Sequence, residues 1–303
     1  NAERQLLMLQ CLKCALPVAD SAAQMTKAIV DDDVHRSQVP SLLASASSVI
    51  AALAHALVVL VDDGTFLEPE LPTLVRNINS ILVQDPDAVA GAMHLEVGAF
   101  IHSLAQKPRA LPPGLITMCH HLYNAAEVKF GVLAAQNAIV MMLISRAITP
   151  VVLRLAQRMG AGAASLSGNI SDLSRLLQRV AHFAHHGEDV VGGAAGAPRD
   201  LPQILEHVAA MRDLVSRVLV IPADQTLGVR VSPGEAEEAA MWIVEACRHW
   251  SSGLSASGAV VGGSRPRQQQ LLSAALPILE RFAALGVGAG GGANATVPGT
   301  PPR

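Results

Sequence analysis

Aromatic side chains are scarce in this 303-residue chain, at five Phe, two Trp and one Tyr. That leaves no stacking platform for single-stranded nucleic acid. Charge is also sparse: 16% of residues are charged, only four are lysine, and the formal net charge is −3. With no basic block, a phosphate-backbone footprint is missing, and no nucleic-acid partner is expected. Four cysteines (Cys11, Cys14, Cys119, Cys247) are too few for a disulfide scaffold in a chain this long. Cys11 and Cys14 form a CxxC, but it lies in a helical pattern with no second pair downstream, so no zinc or redox site is expected. What is present is aliphatic. Half of the residues are hydrophobic, alanine is abundant, and alanine is the best helix former. The chain reads as all-α. It begins at Asn1 rather than methionine, so a segment of a longer protein is expected.

Residues 3–30 read as helix, followed by a polar loop over 31–40 that Pro40 closes. Residues 41–61 carry no formal charge, which is the length of a membrane span. Apolar positions there recur at helical spacing with Ser45, Ser47, Ser48 and His55 between them, which suits a core helix better. No transmembrane segment is therefore expected. Further helices are predicted from Phe66 to Leu82 and after Asp85-Pro86. A Pro-Pro-Gly breaker at 112–114 opens the next one, which turns Leu115, Met118, Cys119, Leu122 and Ala126 toward a core.

The stretch 140–152 is apolar on every side, as a buried central helix should be. Arg146 interrupts it and needs a partner or a task, because an unpaired buried guanidinium costs several kcal/mol. Pro150 is expected to end this helix, since proline disfavours the α region for the residue before it. A flexible loop is expected over 160–168, then helices over 169–185, 201–221 and 233–250. His182 and His186 have the i,i+4 spacing of metal ligands, but no further ligand accompanies them, so no metal site is expected. The expected division is a helical domain over 1–250, a linker and terminal helix over 251–285, and a disordered Gly/Pro-rich tail over 286–303.

Residues 111–130, LPPGLITMCHHLYNAAEVKF, resemble the segment P-P-x-(L/I)-x-x-(V/L)-C-x-x-L-Y of Ras GTPase-activating proteins, the neurofibromin-like family, down to its closing basic residue and Phe. Residues 144–151, ISRAITPV, resemble the family signature F-L-R-F-I-N-P-A. Thr65-Phe66-Leu67 with residues 71–75 is similar to Y-L…L-x-P-L-(V/I), and residues 176–181 are similar to I-L-Q-x-(I/L)-A. Val34-His35-Arg36-Ser37-Gln38 stands where the family has L-F-R-G-N. The islands come in the family's order and span about residues 5–250.

This resemblance implies a RasGAP-like helical domain that stimulates GTP hydrolysis by a Ras-like small GTPase in its GTP-bound state. Arg36 would be an arginine finger supplied in trans, and Arg146 would support the finger loop through its backbone. Ser37, Gln38, Thr149 and Pro150 would face the partner. The domain would be an activator rather than an enzyme and would have no cofactor of its own, since GTP and Mg belong to the GTPase. The expected location is the cytoplasm, with any membrane association supplied by parts of the full-length protein outside this chain. The chain departs from the pattern at Ile144-Ser145, at Thr149 and at Ser37-Gln38, where a glycine is lost. The alternative is a catalytically inactive scaffold of the same fold that binds a GTPase without stimulating it.

Overall fold

The computed structural model describes residues 2–16, 21–43, 48–61, 65–67, 70–81, 86–158, 164–186, 199–223, 227 and 231–256. Among the described residues all regular structure is helical and no strand occurs. Eleven α-helices follow in order: α1 Ala2–Ala15, α2 Ser21–Arg36, α3 Val49–Val61, α4 Leu71–Asn79, α5 Pro86–Gln106, α6 Pro113–Phe130, α7 Val132–Met142, α8 Thr149–Arg158, α9 Ala164–His186, α10 Leu201–Val218 and α11 Pro233–Ala256. A six-residue π-helix, Leu143–Ile148, joins α7 to α8.

The chain divides into two compact units. One comprises residues 1–5 and 22–229, the other residues 6–21 and 230–303. In the second unit, the Cys14 thiol donates to the Ala236 carbonyl at 3.7 Å, and burial pushes Cys14 up to about 11. It is therefore a protonated, unreactive thiol at neutral pH. A reciprocal capping box starts α11: the Ser232 N–H donates to Glu235 Oε2 at 2.9 Å, and the Glu235 N–H to Ser232 Oγ at 3.3 Å. The helix then runs to Ala256, six residues past the expected end, so a boundary at 250 would fall inside it. One glycine and a few serines cost a helix roughly 1 kcal/mol or less apiece, too little to stop it. The expected terminal helix over 268–285 and the tail over 286–303 lie outside the described residues.

The first unit is built around the α7–π–α8 rod. Ala135, Ala138, Ile139, Val140, Met142, Leu143, Ile144, Ala147, Ile148 and Val152 are all essentially inaccessible to solvent. The rod packs on α6, α9, α10 and α3, which accounts for an apolar surface on every side. Pro150 does not end the rod, contrary to expectation. A proline lacks an N–H and its ring collides with the carbonyl four residues back. Here the turn before it widens, and the Thr149 N–H reaches back five residues to the Ile144 carbonyl. The π geometry absorbs the proline and keeps the helix continuous.

α6 lies beside α7 and α3. Gly114 is tightly packed: a Cβ there would sit 3.0 Å from Leu57 Cδ2 and 3.4 Å from the Leu227 carbonyl. The expected core stripe on α6 is buried in full, and burial pushes the Cys119 thiol up to about 12.

Further boundaries differ from the sequence reading, and within the helix expected from Phe66 to Leu82 the α-helix is Leu71–Asn79, with a 3₁₀ turn at Thr65–Leu67. Residues 3–30 are not one helix: α1 ends at Ala15, before Pro17. Residues 31–36 are the last turns of α2 rather than loop, and α9 begins at Ala164, inside the expected loop. Among the described residues of the uncharged 41–61 stretch, the α-helix is 49–61, shorter than the roughly 20 residues a helical span needs. Ala88–Gln106 and Val132–Arg154 are long and apolar enough to do so, but 61% of the latter's span is buried in the fold, as a core helix requires.

Candidate functional site

Arg36 is the final residue of α2, and its side chain is 75% exposed. Each of the three preceding aspartates has a separate role. Asp31 pairs with Lys27, one turn back, and Asp32 with Arg36 Nε at 2.9 Å. Asp33 accepts the Ile50 N–H at 3.3 Å, capping the start of α3. These i,i+4 pairs carry the helix through a charge-rich stretch that otherwise reads as loop.

Helix ends leave carbonyls without partners, and at α2 a lysine from α6 takes up two of them. The Lys129 ammonium, near the end of α6, donates to the carbonyls of Val34, His35 and Ser37 at 3.0, 2.7 and 2.7 Å. An ammonium has three N–H donors, so each carbonyl receives one. Ser37 is buried (7% exposed), and its hydroxyl donates back to the Asp33 carbonyl at 2.8 Å. Gln38 is exposed. Immediately downstream, the 3₁₀ turn Pro40–Leu42 packs on α7 and α9. The segment bearing Arg36 is thus pinned at its base and presented outward at its tip.

Arg146 lies in the π-helix and is half-buried, and desolvation pushes its pKa below the usual guanidinium value. It lines a cleft of about 630 Å³ with Met141, Ser145, Arg175, Gln178, Arg179 and His182. A π turn brings residues four and five apart onto one side, which aligns Met141, Ser145 and Arg146. The opposite wall is the i, i+3, i+4, i+7 stripe of α9 formed by Arg175, Gln178, Arg179 and His182. Thr149 is 3% exposed with its Oγ1 buried, so its side chain is closed to a partner, while Pro150 is half-buried. Of the residues expected at a partner surface, Arg36 and Gln38 project, whereas Ser37 and Thr149 face inward.

A polar chain starts at the cleft residue Arg179 and is buried at its far end, His94 and His207. Arg179 grips Asp200 with both terminal nitrogens, at 2.7 and 2.6 Å. Asp200 also receives His94 Nε2 at 3.1 Å, and His94 Nδ1 meets His207 Nε2 at 3.1 Å. The two imidazoles lie 5.3 Å apart at 17°. With that short N···N distance, they are near-coplanar rings joined edge to edge rather than stacked faces. The hydrogen bond from Arg179 holds the Asp200 carboxyl below its usual range, with a lesser contribution from His94.

Burial first, and the neighbouring His94 second, push His207 down to about 4. The unfolded chain therefore binds a proton at this residue that the folded chain refuses between pH 6.5 and about 4. Stability should be undiminished above pH 6.5 and fall as the pH drops through that window. Urea midpoints at pH 7.5 and 5.0 test this: His207→Gln should show a smaller acid loss than the parent chain. An equal loss would reject the assignment.

The resemblance implied that Arg146 supports the Arg36 backbone, and Lys129, which bonds the carbonyls on either side of Arg36, was not singled out. The signal was present, since Lys129 is the basic residue closing the 111–130 segment. It is followed by Gly131, whose φ of +88° turns α6 into α7. That backbone region belongs to glycine, and a side chain there costs on the order of 1–3 kcal/mol. Gly131→Ala should lower the urea unfolding free energy by that amount, even though a Cβ would meet nothing within 4 Å.

The cationic cleft was likewise missed, because the stripe on α9 reads as an ordinary solvated face. Among the described residues no group of His, Cys, Asp or Glu could hold a metal ion. No family model and no curated protein matches the chain.

Proposed function

We propose that this chain is a RasGAP-like activating domain that inserts Arg36 into the nucleotide site of a GTP-bound Ras-like GTPase. A loose phosphoryl-transfer transition state spreads charge over the γ-phosphoryl oxygens, and a guanidinium supplied in trans accelerates hydrolysis by about 10³–10⁵-fold. Arginine suits the task because it stays charged and offers several donors in a planar fork. The observation that carries the reading is the three-pronged grip of Lys129 on the Val34, His35 and Ser37 carbonyls. It fixes the backbone on both sides of an exposed arginine, as delivery of a charge into another protein's site requires. The exposed pair with Asp32 is worth only about 0.5 kcal/mol, so Arg36 can leave it on docking.

The second reading, a scaffold that binds a GTPase without activating it, is favoured by two features. Arg36 already has a carboxylate partner, and the buried Ser37 replaces a glycine that would let the loop move. Single-turnover GTP hydrolysis by a panel of Ras-like GTPases separates the two. Acceleration of at least one by about 10³-fold or more supports the activator. Binding with an unchanged rate supports the scaffold. Neither binding nor acceleration across the panel rejects both.

A further inference from the structure

We propose that the cleft between the π-helix and α9 is a binding site for a phosphate group carried by a small molecule or a lipid headgroup. Three arginines, Arg146, Arg175 and Arg179, line it, with His182, Gln178 and Ser145 as additional polar residues. Among the described residues lining it there is no carboxylate. Arginine forks match phosphate oxygens bidentately, and such charge-assisted bonds are about twice as strong as neutral ones.

Two of the three arginines already hold a carboxylate. Asp200 holds both terminal nitrogens of Arg179, consuming two of the five N–H donors of a guanidinium and fixing its plane. Asp200 is itself held by His94, which His207 holds in turn, so the arginine rests on a buried support. Asp172 takes one N–H of Arg175 at 2.7 Å in an exposed pair, which a ligand displaces at little cost. Arg146 contributes a half-buried positive charge on the facing wall. At about 630 Å³ the cleft takes a sugar phosphate or an inositol phosphate.

The test uses the full chain in two arms. Titration calorimetry with inorganic pyrophosphate reads the soluble source. Flotation on phosphatidylcholine vesicles, with and without phosphatidylinositol 4-phosphate, reads the lipid source. Saturable binding in at least one arm is expected, weakened about tenfold or more by Arg175→Glu and by Arg146→Gln. Arg109→Gln, at an exposed position outside the cleft, should bind as the parent does. Because Arg175 is 73% exposed, its substitution leaves the fold intact, and thermal melting checks this. No saturable binding in either arm, or binding that Arg175→Glu leaves unchanged, overturns the proposal.

Discussion

Replacing Arg36 with alanine is expected to lower GTPase stimulation by about 10³-fold or more while leaving the affinity for the GTPase within about tenfold. The asymmetry follows from the task proposed for this residue. A group that meets charge only in the transition state changes the chemical step rather than ground-state binding. Arg36→Lys should not rescue the rate, because an ammonium is a point charge on a flexible stem and cannot present a planar fork. Lys129→Met should also slow stimulation, by releasing the three carbonyls that position the loop, yet by less than loss of the guanidinium itself. A stimulated rate that Arg36→Ala lowers less than about tenfold would eliminate the finger assignment. Asp32→Ala is the counter-control: it frees Arg36 from its surface pair, and the rate should hold or rise slightly.

The second large effect concerns stability. Leu122 is fully buried on α6, the helix beside the central rod. Leu122→Ala should cost about 2–5 kcal/mol, from the lost transfer of the side chain and the cavity left in a packed interior. Val128 lies on the same helix and is 89% exposed, so Val128→Ala should change stability by less than about 0.5 kcal/mol. Urea unfolding followed by far-ultraviolet circular dichroism reads both. Comparable losses for the two substitutions would mean that the inward face of α6 is misassigned.

Much of the fold was legible from local rules. Period-3.6 spacing identified Leu115, Met118, Cys119, Leu122 and Ala126 as one buried stripe, and all five are buried. The all-round apolar composition of 140–152 predicted a central helix, and the rod occupies the centre of its unit. Proline placement predicted where α6 begins. These features depend on residues within a few turns of one another, where hydrophobic periodicity and backbone sterics decide the outcome.

The errors share a different cause. Pro150 was expected to stop the rod, but packing on several sides favours a continuous helix enough to fold the turn as π rather than break it. Asp31 to Arg36 reads as loop by composition. The i,i+4 pairs Lys27–Asp31 and Asp32–Arg36 favour helix there, and Asp33 reaching α3 and Lys129 reaching in from α6, 92 to 95 residues away in sequence, hold its end.

By itself, then, the sequence determined the all-helical class, the inward faces of the helices and the centrality of the 140–152 stretch, all consequences of local spacing and burial. Tertiary structure alone decided which cation braces Arg36, which of its neighbours face solvent, and that Arg146 shares a cleft with Arg175 and Arg179. Those outcomes rest on long-range hydrogen bonds and on two helix faces meeting, and no periodicity within one segment encodes which face it will meet.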